Sequence, residues 1–173
     1  PSPLDRALAE SETFEKAGQV EEARAALGRA CTLVRAATPT YDPWSIECDL
    51  SARFLRLGCS QEARAAAQRA LALTDTESAR KGFGSVGLAA EIASVVPALA
   101  QAGLVDEAVA AAAAAVNGVS SGNLNAVAHL PGVLAAAGRR AEALALGGRL
   151  HDVAATFAAD RSQLRALIAI AGS

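Results

Sequence analysis

The side chains able to carry chemistry are few and scattered. His129 and His151 are the chain's two histidines. Metal binding or general-base work needs convergent partners, and neither histidine has a ligand at metal-site spacing. Both are expected in packing or helix-surface roles. The acid pairs Glu21-Glu22 and Asp106-Glu107 resemble acid–base machinery only in composition. Each stands where a helix is expected to begin, and a carboxylate there meets the positive end of the helix dipole. Cys31, Cys48 and Cys59 match no zinc spacing. Their odd number suits a reducing compartment such as the cytoplasm, and they are expected to be small buried or half-buried helical residues. The chain has no phosphate loop, dinucleotide fingerprint, nucleophile elbow or zinc pattern. The expectation is a protein that is not an enzyme and uses no cofactor or metal.

Composition narrows the remaining choices. Just over half of the 173 residues are apolar but only 3% are aromatic, so much of the apolar content is alanine. Alanine is the strongest helix former and contributes little buried area per residue. Such a chain is all-helical and is held by many close contacts between helices. The net charge of −2 gives no overall attraction for nucleic acid. The apolar stretch Val86–Val116 is interrupted by Glu91, Gln101, Asp106 and Glu107, which excludes a membrane span there. The opening Pro1-Ser2-Pro3 lacks the basic and apolar regions of a signal peptide. No methionine occurs anywhere, so the chain is expected to be a fragment or a processed product.

Organisation emerges when four glycines are aligned. Gly18, Gly58, Gly103 and Gly138 are followed by GQVEEARAA, GCSQEARAA, GLVDEAVAA and GRRAEALAL, counting each glycine as the first letter. The fourth residue after each glycine is glutamate (Glu22, Glu62, Glu107, Glu142), and the fifth is alanine (Ala23, Ala63, Ala108, Ala143). Four places upstream stand Phe14, Phe54, Leu99 and Leu134, and eight places upstream Glu10, Leu50, Val95 and Leu130. Offsets of four and eight fall on one helical face. A helix therefore ends near each glycine and another begins just after it. Glycine suits the join because it takes a left-handed backbone conformation without a Cβ clash.

This pattern resembles the tetratricopeptide repeat family, whose unit is 34 residues long and consists of two packed helices. The glycine-x-x-x-glutamate-alanine step is present in all four copies, and the family's later alanine matches Ala30, Ala70 and Ala115. The copies depart from the family in spacing, their glycines lying 40, 45 and 35 residues apart. The resemblance covers nearly the whole chain. It implies a single domain over residues 1–173, an α-α superhelix of right-handed sense with about four helix-pair units. Gly172 lies 34 residues beyond Gly138, so a terminal helix over 159–171 is expected as the first helix of a fifth unit. Its apolar residues Leu164, Leu167, Ile168 and Ile170 make self-association through that helix an open possibility.

The expected helices lie near 3–17, 20–37, 43–57, 60–74, 86–102, 104–118, 123–137, 139–156 and 159–171. Connectors run through Thr38–Pro43 and through Asp75–Ser85, and Pro97 and Pro131 should kink the helices that hold them. Arg24, Arg29, Arg35, Arg64 and Arg69 fall on the second helices of units one and two, an expected solvated outer wall.

In the family resembled, first helices line a groove that holds a partner. Carried over by offset from each glycine, the groove is expected to present Glu12, Lys16, Cys48, Leu55, Arg56, Pro97, Gln101 and Gly132. Leu8, Glu15, Ala52, Ala93, Ala100, Ala128, Ala135 and Ala136 share the same offsets. Only Lys16 and Arg56 are basic there, so a clamp for a peptide's terminal carboxylate is not expected. Between Gly84 and Gly138 the only charged residues are Glu91, Asp106 and Glu107. The expected function is a protein–protein interaction scaffold or sensor segment that binds a protein or peptide, without nucleic acid or membrane. The alternatives are a non-catalytic helical domain of a larger enzyme or signalling ATPase, or a nucleic-acid-binding solenoid.

Overall fold

The computed structural model describes residues 2–36, 43–74, 77–120 and 123–171, and for 77–86 and 160–171 the backbone alone. Among the described residues the secondary structure is helical and no strand occurs. The helices are α1 (Pro3–Lys16), α2 (Val20–Ala36), α3 (Pro43–Arg56), α4 (Ser60–Thr74), α5 (Glu77–Gln101), α6 (Val105–Asn117), α7 (Leu124–Val127), α8 (Leu130–Ala136) and α9 (Arg140–Ala171). The entry to α1 is a capping box: the Asp5 amide donates to Ser2 Oγ at 3.1 Å, and the Ser2 amide donates to Asp5 Oδ2 at 2.8 Å. Pro3 takes the first helical position, where no amide donor is needed.

The four aligned glycines make one turn four times. They are the positive-φ residues among those described, with φ of 72° at Gly18, 73° at Gly58, 76° at Gly103 and 83° at Gly138. At each, the glycine amide donates to the carbonyl three residues back, and the next amide donates to the carbonyl five residues back: Gln19 to Phe14 at 2.9 Å, Cys59 to Phe54 at 2.8 Å, Leu104 to Leu99 at 2.9 Å and Arg139 to Leu134 at 2.9 Å. This is the Schellman closure of a helix end. The carbonyl of that same residue then accepts the first bond of the next helix, from Ala23, Ala63, Ala108 and Ala143 respectively. A single residue therefore closes one helix and opens the next, which is why the join is so short.

Those four alanines are buried, three of them completely. The hydroxyl of Ser51 on α3 donates to the Ala63 carbonyl on α4 at 2.9 Å, so the two helices meet at this register with no room for a larger side chain. α1 packs on α2, α3 on α4, α5 on α6 and α8 on α9. Between these pairs, α2 meets α3, α3 and α4 meet α5, α5 meets α7 and α8, and α6 meets α9. One apolar cluster joins Leu27, Leu50, Phe54 and the alanines around them. A second joins Trp44, Val95, Val96, Leu99, Val127, Leu130 and Leu134 with the alanines of α5 and α6. Each fully buried leucine contributes roughly 1.5–3 kcal/mol. The alanine-rich α6 buries Ala108, Ala111, Ala112, Ala115 and Val116 and exposes only Ala110 and Ala114 among its alanines.

Contacts between successive units run along the glycine turns. Arg24, six residues after Gly18, pairs with Glu62 of the next unit. Arg64, six after Gly58, donates from Nε to the Ala102 carbonyl at 3.0 Å. Arg139 Nη1 reaches Asp106 Oδ1 at 2.5 Å. Burial follows the same rule. Beside the glycine turn, Ala17, Gln19 and Glu22 of unit one are all exposed, whereas their counterparts in units two to four are half-buried or buried.

Three expectations about elements are corrected. The connector placed at Asp75–Ser85 is helical from Glu77 on, so α5 runs 25 residues; only Asp75 and Thr76 of it lie outside the described residues, as do 37–42 of the earlier connector. The helix expected at 123–137 is two helices, α7 and α8. Pro131 has no amide to give Val127, and its ring clashes with that carbonyl, so the first helix stops there. Pro97 lies inside α5, which continues through it. The separate helix expected at 159–171 does not exist as such: α9 runs unbroken from Arg140 to Ala171. No glycine or proline occurs between Leu150 and Ala171 to stop it. The side chains of Leu164, Leu167, Ile168 and Ile170 lie outside the described residues.

Candidate functional site

The first helices α1, α3, α5 and α8 carry the residues expected to face a partner. The face they form divides into two halves of different chemistry. In units one and two it is ionic and internally matched. Lys16 Nζ pairs with Glu12 Oε1 at 2.7 Å, and Arg56 Nε pairs with Glu15 Oε1 at 2.8 Å. The Lys16 bond and charge hold the Glu12 carboxyl below its ordinary value, with smaller help from Arg53 and Arg56. Arg53 donates to the Leu8 carbonyl at 3.3 Å. Exposed pairs of this kind contribute little stability, but their charges are already answered within the chain.

In units three and four the face is neutral and concave. A cleft of about 250 Å³ opens between α5 and α8, lined by Pro97, Ala100, Gln101, Val133, Ala136 and Ala137. Gln101 supplies amide hydrogen-bonding capacity at its rim; the remaining wall is small and apolar. The structure thus brings together Pro97, Gln101, Ala100 and Ala136 from the expected set. Val133 and Ala137, which the offsets did not include, complete the wall. The chain signal for them was present in the apolar run of α8 but carried no distinguishing residue type. Gly132 is exposed beside the cleft and does not line it. Leu55 and Cys48 are half-buried and pack against the two apolar clusters. Burial pushes the Cys48 thiol up to about 11, assisted by Asp49 and Glu47. At neutral pH it is a protonated packing group, not a nucleophile.

A second cleft, of about 240 Å³, lies between α2 and α4, where Cys31, Thr32, Arg35, Phe54, Glu62 and Arg69 are among its lining. Arg69, one of its lining residues, is half-buried and pairs with a buried carboxylate. Glu47, 2% exposed, accepts from Arg69 Nε and Nη2 at 3.0 Å each. Of the second-helix arginines, Arg24, Arg29, Arg35 and Arg64 are exposed and Arg69 is half-buried. Arg29 bonds Glu10 at 2.6 Å, and Arg24, Arg64 and Arg69 make the ties already described. These guanidiniums hold helices and units together, because their planar forks meet carboxylates and carbonyls within reach.

His129 and His151 are exposed, the first at the N-cap of α8 and the second within α9. Among the described residues, no group of three or more His, Cys, Asp or Glu side chains is placed to hold a metal ion. The three cysteines are free thiols. The helix-start acids stand in the first turns of α2, α4, α6 and α9 as expected. Arg139 and a backbone bond hold the Glu142 carboxyl low. For Glu62 the larger cause is its backbone bond, with Arg24 next. Among the described residues no helix is long and apolar enough to cross a membrane. No family model matches this chain, and no match was found among the curated proteins.

Proposed function

We propose that the chain is a tetratricopeptide-like helical-repeat scaffold, coiled as a right-handed superhelix, that holds a partner protein on the neutral face of α5 and α8. The observation that carries this reading is the cleft between Pro97 and Val133. It falls where the repeat offsets set the groove, and no exposed charged side chain interrupts the described face from Gly87 to Gln101 or from Leu124 to Ala137. A neutral concave cleft of small, mostly half-buried apolar side chains edged by a hydrogen-bonding one suits a protein contact. The ionic half of the groove orients the partner less, since Lys16 and Arg56 are matched by Glu12 and Glu15. The free thiols fit a reducing compartment, and the cytoplasm is the location proposed. A nucleic-acid role is disfavoured, because the net charge is −2 and Arg24, Arg29, Arg64 and Arg69 are engaged within the chain.

The experiment is site-specific photocrosslinking in the native host. A photoreactive side chain replaces Gln101 in one variant and Ala114, exposed on α6, in another. The reading expects a discrete protein adduct from position 101 that disappears when Val133→Asp is added. Equal adducts from both positions, or none from 101, would refute it.

A further inference from the structure

The cleft between α2 and α4 shares no residue with the cleft between α5 and α8. One wall is a single face of α2, carrying Gly28, Cys31, Thr32 and Arg35 at helical spacing. Phe54 of α3 and Ala65 of α4 add apolar surface, and Phe54 and Cys31 are buried. Gly28 stands in the middle of α2, where glycine weakens a helix relative to alanine. Nothing inside the chain requires it there, since a Cβ would meet no atom within 4 Å. The missing side chain leaves that wall of the cleft open.

Two guanidiniums line the same cleft. Glu47 occupies Nε and Nη2 of Arg69, which leaves the Nη1 hydrogens of a side chain that is 30% exposed. Arg35 is exposed in the last turn of α2 and pairs with no carboxylate among the described residues. Burial, with Glu47 next, pushes the Cys31 thiol up, and Arg69 and Arg35 oppose it. Both guanidiniums therefore stand near that thiol. Glu62, the remaining charged residue of the lining, is answered by Arg24, and Glu47 by Arg69. The Arg35 charge is the surplus.

We propose that this cleft binds a small organic acid, its carboxylate held by Arg35 and by Nη1 of Arg69 and its short apolar body lying over Cys31, Phe54 and Ala65. One surplus positive charge matches a monoanion better than a phosphate. Planar guanidiniums meet a carboxylate through paired hydrogen bonds. The volume of about 240 Å³ is below the roughly 300–1,000 Å³ of pockets for drug-sized ligands, so the occupant has a body of only a few carbons. The inference rests on this cleft and not on the groove of α5 and α8.

Isocaproate is the probe, with isocaproamide and inorganic phosphate as comparisons, each titrated into the nitrogen-15-labelled chain. Amide and arginine Nε–H resonances are followed by NMR. Isocaproate should give saturable shifts at Gly28–Arg35 and at Ala65–Arg69. The amide, which lacks the charge, and phosphate should each bind about tenfold or more weakly, the loss expected for a charge-assisted bond. Arg35→Gln should weaken isocaproate by a similar factor. Gly28→Leu should abolish its binding while the helix is retained, because leucine is the better helix former and enters open space; circular dichroism melts verify the fold of both variants. Absence of saturable shifts at these residues, equal binding of the amide or of phosphate, or isocaproate binding unchanged in the two folded variants overturns the proposal.

Discussion

Ser51 and Ala63 define how closely the paired helices approach: the Ser51 hydroxyl donates to the Ala63 carbonyl at 2.9 Å, and both residues are fully buried. Ser11, seven residues before Gly18 as Ser51 is before Gly58, is equally buried, but its hydroxyl has no partner. Ser51→Ala should cost about 0.5–1.5 kcal/mol and Ser11→Ala should be neutral or stabilising, since removing an unsatisfied buried hydroxyl relieves a desolvation cost. Ala63→Leu should cost about 1–3 kcal/mol by overpacking. Urea denaturation of the three variants checks the order. Equal losses for the two serines would contradict it.

The turn glycines differ in what surrounds them. Alanine at any of the four meets the left-handed strain of roughly 1–2 kcal/mol. At Gly103 a Cβ would also lie 3.1 Å from Arg64 Nη2, whereas at Gly18 it meets open space. Gly103→Ala should therefore be the more destabilising, and Arg64→Ala should reduce the difference between them. A double-mutant cycle between positions 64 and 103 measures the coupling, and a zero coupling would count against the assigned contact.

Two arginines at the same register, eleven residues after their glycines, have different consequences. Arg69 serves the buried Glu47, and Arg29 the exposed Glu10. Arg69→Ala strands a buried carboxylate and should cost about 3–5 kcal/mol. Arg29→Ala should cost roughly 0–1 kcal/mol. Replacing Glu47 and Arg69 together by leucine should recover most of the loss.

Acid should unfold the protein through identifiable carboxylates. Glu12, Glu62 and Glu142 are held below the ordinary value of 4.5 by their bonds to Lys16, to backbone and Arg24, and to Arg139 and backbone. Lowered native values mean that the unfolded state binds more protons near that pH, so stability falls as pH falls. The contribution is intact above about 4.5 and is lost as pH drops through the lower native values. Melting temperature followed from pH 7 to pH 2.5 should decline on the acid limb, and Glu62→Gln with Glu142→Gln should flatten that decline.

The sequence made the turns legible because each is a local event: a glycine that must take positive φ, a large residue four places before it, an alanine five places after. It made the long-range features illegible for the same reason. The partners of Arg24 and Arg64 lie about one unit away, and arginine on a helix gives no sign of whether it meets water or the next unit. The run through Gly82 and Gly84 looked like a connector on propensity, yet α5 includes it, since a glycine costs only about 1 kcal/mol in a helix. The unbroken α9 was missed because the repeat spacing suggested a separate first helix over 159–171, and no residue there marks or excludes a break. Of the six residues that line the cleft between α5 and α8, the offsets included Pro97, Ala100, Gln101 and Ala136 but not Val133 and Ala137, because small apolar residues mark a packed face and an open one alike.

The central claim is that a partner protein seats on the neutral face between α5 and α8. Hydrogen–deuterium exchange on the complex, formed with the protein captured at position 101, tests it most directly. The account predicts slowed exchange confined to 93–102 and 128–138, with 105–117 and the second helices α2 and α4 unchanged. Slowed exchange in α2, α4 or α6, with the α5 and α8 segments unaffected, would contradict it.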